Sequence, residues 1–333
     1  MSRAREFADL AGSADAGGLT GRNRVINGDF QIWQRGTSQT TAGYGSADRW
    51  RLNVSGATLT GSQGTFTDGQ TAVPGNPRFY LALDVTTGND NAGWFHRLEG
   101  THEFANDVYT LSFWAKSATP RAMTVGANSY DSSADTFDET HTVSPSTFTP
   151  TSSWQKFTFK VTFSNMSTLG SFASGDFTAF FITQGSDTST AAWKLDLALV
   201  QFEKGDKATP FEHRSFGEEL QRCQRFFTRV PTIDGSTAYA FLATGMATDT
   251  TAVDIPISFP VTMRANPTLT TSGSMRVYNG GTVNPSAGIT LNSATNYAAT
   301  VRVPTGSVLT TKDAILVGLN NDVDANFQFS AEL

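Results

Sequence analysis

Alternation of apolar and polar residues with a period of two is what most constrains this chain. From Trp154 to Phe163 the residues Phe157, Phe159, Val161 and Phe163 fall on one side, and Lys156, Thr158, Lys160 and Thr162 on the other. That is the pattern of a strand with one wet face. Phe79, Leu81, Leu83 and Val85 repeat it, as do Phe177, Ala179 and Phe181, and Trp193, Leu195, Leu197 and Leu199. Tyr109 to Lys116 alternates too and sets Leu111 and Phe113 against Trp114. Strands of this kind between turn-rich spacers predict an antiparallel sandwich. The Asp-, Ser- and Thr-rich stretch Tyr130 to Ser153 reads as a long loop or an irregular edge. Val253 with Ile255, Ile257 with Phe259, Val301 with Val303, and Phe327, Phe329, Ala331 and Leu333 mark strands of a second β unit. All six Trp lie between positions 33 and 193, which predicts two cores of different make-up.

Between these β regions the pattern changes period. After the Thr209-Pro210 break, Ser215 and Glu218 form an S-x-x-E capping box. Phe216, Leu220, Cys223 and Phe227 then recur at helical spacing. Glu218 and Glu219 in the first turn, with Arg222 and Arg225 later, suit the helix dipole. A helix over 216–229 is predicted, closed by Pro231. Ahead of the first strands, Phe7, Leu10 and Ala11 give one apolar stripe on about two helical turns, and a helix this short needs a partner surface.

The chain has 333 residues, 16% of them charged, and a net charge of -6. Phosphate contacts need clustered Lys and Arg, and none is present, so no nucleic-acid partner is expected. No run approaches the roughly 20 apolar residues of a membrane span, so no membrane insertion is expected. The single cysteine, Cys223, excludes an internal disulfide framework and reads as a buried small hydrophobe. The N-terminus lacks the apolar core of a secretory signal.

Catalytic signatures are missing. No nucleophile elbow, H-E-x-x-H or P-loop occurs. His96 and His102 sit six apart around Glu99, which is not a zinc spacing on a helix, and the histidines read as surface residues. Asp131, Asp135, Asp138 and Glu139 share one solvated loop, without the paired geometry across a cleft that a glycosidase requires. The chain is expected not to be an enzyme. Aromatic faces that remain exposed can stack on sugars. Trp94 follows the loop-like Gly88-Asn-Asp-Asn-Ala-Gly93, and Trp114 points away from the core-facing set. With Tyr278 beside Asn279-Gly280-Gly281, these are the glycan-contact candidates.

Several motifs carry a resemblance. Asn23-Arg-Val-Ile-Asn-Gly-Asp-Phe-Gln-Ile-Trp-Gln-Arg-Gly-Thr37 and Ala47-Asp-Arg-Trp50 resemble the opening of sandwich domains found in phage tail fibres and related virion fibres. Leu111 to Ser117, Val200-Gln-Phe-Glu203, Ala208-Thr-Pro-Phe-Glu212 and Cys223-Gln-Arg-Phe-Phe227 are similar to the same domains, in order along the chain. Phe259 to Thr268 resembles a fibre C-terminal unit, and Met1 to Gly21 the N-termini of marine phage fibres. The sandwich is also similar to calcium-stabilised carbohydrate-binding modules, where a strand reading Asn-Gly-Asp-Phe-Glu supplies a Glu to the metal. Here Asn27-Gly-Asp-Phe30 is followed by Gln31. The resemblance leaves Asp29 and Asp196 as weak calcium candidates, with no other cofactor.

The expected fold class is all-β: two antiparallel, jelly-roll-like sandwiches joined by a short α-helix and preceded by a short helical leader. The expected divisions are 1–24 for virion attachment, 25–214 for the carbohydrate-binding-module-like sandwich, 215–230 for the linker helix and 231–333 for a distal receptor-contact sandwich. The resemblance implies a tail fibre located on the virion, a homotrimer that binds host surface polysaccharide or lipopolysaccharide. Its N-terminus would join tail or capsid proteins. Phe7, Leu10, Phe216, Leu220 and Phe227 are the trimer or virion contact candidates. A capsid decoration or head-fibre protein of the same fold is the alternative, and a polysaccharide depolymerase is a third reading.

Overall fold

A computed structural model describes residues 21–54, 56–88, 92–132, 136–163, 173, 175–184, 191–231, 239–279, 282–286, 288–306 and 308–333. The leader residues Phe7 and Leu10 lie outside the described residues, as do the Asp234-Gly-Ser-Thr237 loop, Asp135, and the side chains of Asp138, Glu139 and His141. The described chain divides between Glu219 and Leu220 into two compact units, the first also taking in Leu333.

The first unit contains, among the described residues, β1 (Ser38–Gln39), β2 (Trp50–Asn53), β3 (Thr58–Thr65), β4 (Phe79–Thr87), β5 (Gly93–Glu99), β6 (Val108–Lys116), β7 (Met123–Asp131), β8 (Thr136–Phe148), β9 (Gln155–Thr162), β10 (Phe177–Thr183) and β11 (Trp193–Lys204). They form two sheets, ordered β1-β3-β4-β11-β6-β9 and β2-β5-β10-β7-β8. The strands pair antiparallel throughout. Leu81, Leu83, Val85, Leu111, Phe113, Trp193 and Leu195 from one sheet meet Trp50, Trp94, Val125, Phe180 and Ile182 from the other in a single core. The stretch from Tyr130 to Ser153 supplies β8 as an edge strand, with two register shifts against β7.

Two strands depart from simple alternation. In β10 the core side is Phe180 and Ile182, not the expected set of Phe177, Ala179 and Phe181. This strand has Phe at both parities and is buried on almost every residue, so period alone does not choose a face. In β11 a register shift between Ala198 and Gln201 coincides with a left-handed backbone at Leu199, φ 49°. The bulge reverses the facing of the chain. Trp193, Leu195 and Leu197 point into the core, Leu199 turns outward, and Val200 and Phe202 return to the core.

Helix α1 (Phe216–Gln224) starts where the capping box places it, with the Glu218 N–H donating to Ser215 Oγ at 3.3 Å. It stops short of the expected residue 229, because Phe227 enters β12 (Phe227–Val230) and pairs with Ser330.

The second unit therefore begins at Leu220, ahead of the expected 231. It continues through β13 (Phe241–Ala247), β14 (Ala252–Ser258), β15 (Thr268–Ser272), β16 (Met275–Asn279), β17 (Thr282–Ser286), β18 (Thr290–Ala294), β19 (Ala298–Pro304), β20 (Ala314–Leu319) and β21 (Asn326–Ser330). Its sheets run β12-β21-β15 and β17-β16-β20-β13-β14-β19-β18. Val253, Ile255, Val277, Val301, Val317, Phe327 and Phe329 fill the core. Both units are antiparallel sandwiches, so the protein is all-β apart from α1 and one 3-10 turn among the described residues.

Candidate functional site

The family-like motifs build a framework in the first unit. Asn27, at φ 60°, receives the Ile32 N–H on Oδ1 at 2.9 Å and donates from Nδ2 to the Ile32 and Asp48 carbonyls at 2.8 and 3.0 Å. The Trp50 indole N–H donates to the Asn27 carbonyl at 3.0 Å. Gly28 is required because a Cβ there would overlap the Val200 carbonyl, on the bulge of β11. Glu203 receives the Thr209 N–H at 2.8 Å and its hydroxyl at 2.6 Å, and the Glu212 N–H donates to Gln201 Oε1 at 2.8 Å. Arg214 and Glu219 form a buried ion pair at 3.1 Å, and Glu219 also receives the Asn27 N–H. His96, expected at the surface, is fully buried, stacked on Phe180 and accepting the Ile26 N–H at Nε2. Burial, then Arg49 and Arg214, hold its pKa well below the usual histidine value.

The calcium candidates do not fit a metal. The Gln31 amide donates to Asp29, so an N–H donor rather than an oxygen ligand lies beside this carboxylate. Asp196 pairs with Lys116 at 3.4 Å. Burial pushes both carboxyls up from the usual carboxylate value, and for Asp196 the Lys116 ammonium opposes the rise. Among the described residues no three His, Cys, Asp or Glu side chains gather around a common point, whereas calcium takes six to eight oxygens.

Trp94 is not a contact residue. It is the second residue of β5 rather than the end of a loop, and its side chain is 0% exposed in the core, against Gly61. Trp114 does lie outside the core, in a separate cluster on the outer face of the six-stranded sheet. Ala198, Leu199 and Val73 are its buried floor, and Phe66, Tyr80, Trp114, Trp154 and Phe211 pack on them half-buried. The β11 bulge makes this cluster by turning Leu199 outward.

Three of the rings form one cluster, here called the platform, in which Tyr80 stands edge-on to Phe66 (65°) and to Trp154 (77°) and Phe66 is tilted 39° from Trp154. Phe66 to Tyr80, Phe66 to Trp154 and Tyr80 to Trp154 are 5.0, 5.2 and 5.5 Å between centroids. A Cβ at Gly64, the cross-strand partner of Tyr80, would overlap the tyrosine ring, so this glycine lets the ring lie down on the sheet. Lys116 Nζ sits 5.0 Å from the Trp154 centroid and 5.4 Å from that of Tyr80. Its ion pair with Asp196 cancels its charge. Burial, then the Asp196 carboxylate, raises the Tyr80 pKa, so the phenol stays a neutral donor. Beside the platform, a groove of about 340 Å³ runs along Phe66, Asp68, Asn76 and Arg78. An apolar wall with one amide, one carboxylate and one guanidinium at its rim suits a ligand with flat apolar faces and many hydroxyls.

No spacing in the sequence marks Phe66, Tyr80 and Trp154 as contacts. They lie on or beside three strands, and only the sheet register brings them together. The remaining candidates lie elsewhere. Phe216 is 56% exposed on α1, and Leu220 is half-buried. Phe227 is buried in β12, which removes it as a contact between copies. Tyr278, on β16 of the second unit, is half-buried and 5.9 Å from the Phe241 ring.

No family model matches the sequence, and no curated protein does. Solved structures give partial overlaps. A CBM4 carbohydrate-binding module is 19% identical, with a TM-score of 0.36, over 54% of this chain and 100% of its own. The N-terminal cellulose-binding domain of Cellulomonas fimi β-1,4-glucanase C is 19% identical, with a TM-score of 0.31, over 52% of this chain and 98% of its own. The enzymatically active domain of bacteriophage CBA120 tailspike protein 4 is 13% identical, with a TM-score of 0.34, over 55% of this chain and 21% of its own.

Proposed function

We propose that this protein is a non-catalytic fibre protein of a phage particle, most simply a tail fibre, that attaches to the host by holding surface glycan on its first sandwich. The observation that carries the reading is the half-buried platform of Phe66, Tyr80 and Trp154, set on or beside three strands, with Lys116 paired to Asp196. Stacked pyranose faces would meet the rings, while Tyr80 and the groove residues Asp68 and Asn76 serve the hydroxyls. The neutralised cation favours neutral sugars. The virion address is supported by the ordered fibre-like motifs, whose residues account for the framework around Asn27, Glu203 and Arg214. The non-catalytic reading is supported by two carboxylates on the same face of the six-stranded sheet. Asp196 is tied to Lys116 and Asp84 to Lys194, rather than facing each other across a cleft as hydrolysis requires. The assembly is proposed as a homotrimer with Phe216 at a contact between copies, since an apolar ring this exposed gains by burial.

Adsorption of purified protein to host cells, with and without Tyr80→Ala and Trp154→Ala, tests the reading. Each variant should lose at least about tenfold in apparent affinity, from roughly 1.5 kcal/mol of lost stacking. Parent-like adsorption by both would refute the platform. A stable 35.7 kDa monomer at micromolar concentration in analytical ultracentrifugation would refute the trimer.

A further inference from the structure

On the second unit, Phe241 of β13 and Arg276 of β16 flank β20, and both are in register with the same residue, Gly318. A side chain at Gly318 would meet the Phe241 ring and the Ala240 carbonyl, so the glycine leaves a notch between the two neighbours. The Arg276 guanidinium lies 4.9 Å from the Tyr239 ring centroid and 5.5 Å from that of Phe241, and donates to the Tyr239 carbonyl at 3.3 Å. Tyr239 and Phe241 are 52% and 51% exposed, and Tyr278 closes the row against Phe241. Among the described residues no carboxylate pairs with Arg276, and its buried Nε has no hydrogen-bond partner. This is the reverse of the first unit's platform, where Asp196 neutralises the lysine over the rings.

We propose that Tyr239, Phe241, Arg276 and Tyr278 form a second glycan site, one that takes an acidic sugar. The exposed rings provide the stacking faces. The guanidinium, pre-positioned between two of them, meets a carboxylate or phosphate on the sugar through paired N–H donors. A single guanidinium on a chain of net charge -6 does not bind polyanions through charge alone, because that needs several neutralised phosphates. Recognition here requires the ring and the anion together.

The test uses the full-length protein and three immobilised probes: oligogalacturonate, its methyl ester and a phosphomannan, with duplex DNA as a charge control. Binding to oligogalacturonate or phosphomannan, at least tenfold tighter than to the methyl ester and to DNA, is expected. The acidic probe that binds distinguishes carboxylate from phosphate. Arg276→Gln and Phe241→Ala should each lose at least tenfold with an unchanged melting temperature, and Arg276→Lys should retain part of the affinity. Tyr80→Ala and Trp154→Ala should leave binding to these probes intact, which separates this site from the platform of the first unit. The proposal is overturned if neither acidic probe binds, if the methyl ester or DNA binds as well, or if Arg276→Gln binds like the parent.

Discussion

His96 illustrates how far burial can reassign a residue. Its ring lies between Phe180 and Trp50, with Nε2 accepting a backbone N–H, so the fold holds the neutral form. The folded-state pKa is depressed, and the unfolded chain takes up the proton first as pH falls. The resulting stability is fully present above about pH 6.5 and is lost as pH drops below it, at about 1.4 kcal/mol per unit for one proton. Asp29 and Asp196 act in the opposite sense, since their raised carboxyls are relieved on acidification, but only nearer the ordinary carboxylate range. Denaturant midpoints between pH 7.5 and 5.5 should therefore decline for the parent. His96→Gln should flatten that decline, although it lowers stability at pH 7.5. An equal slope in the variant would contradict the assignment. Sequence could not place this residue, because an alternating strand with histidine at one position reads the same whether that face is wet or dry. Trp94 failed likewise: the polar turn before it suggested exposure, yet it is the second residue of a core strand.

At the scale of elements, the regular parts were legible. The alternations in β4 and β9 and the first half of β11 locate their core faces, and the capping box locates the start of α1. The failures have local causes. β10 has Phe at both parities. β11 carries a bulge at which the Val200 N–H donates to the Gly28 carbonyl at 2.9 Å, a partner far away in sequence. The helix ends before its expected limit because Phe227 keeps helical spacing while pairing as a strand. The first turn of α1 also bears a testable load. Glu219 receives the Asn27 N–H and pairs with Arg214, which itself donates to the Val25 carbonyl at 2.9 Å. Glu219→Ala would leave a buried guanidinium without its counter-ion, a change costing about 3–5 kcal/mol. Urea unfolding is expected to show it. A loss under about 1 kcal/mol would mean that the backbone acceptors alone satisfy Arg214.

For the molecule as a whole, two all-β units carry two aromatic faces of different electrostatic character. One is a three-ring platform whose cation is cancelled. The other is a ring pair whose cation has no carboxylate partner among the described residues. The candidate site was barely legible in the sequence, since Phe66, Tyr80 and Trp154 have no common spacing and meet only through strand order and the outward turn of Leu199. Trp114 alone was visible, through its opposition to Phe113. The most direct test of the central claim is the set of indole N–H resonances of the six Trp, followed by nitrogen-15 NMR while neutral oligosaccharides from the host surface are titrated in. The account predicts that Trp154 and Trp114 shift saturably, while Trp50, Trp94 and Trp193, buried in the core, stay in place. Saturable binding that leaves the Trp154 and Trp114 signals unmoved would contradict it.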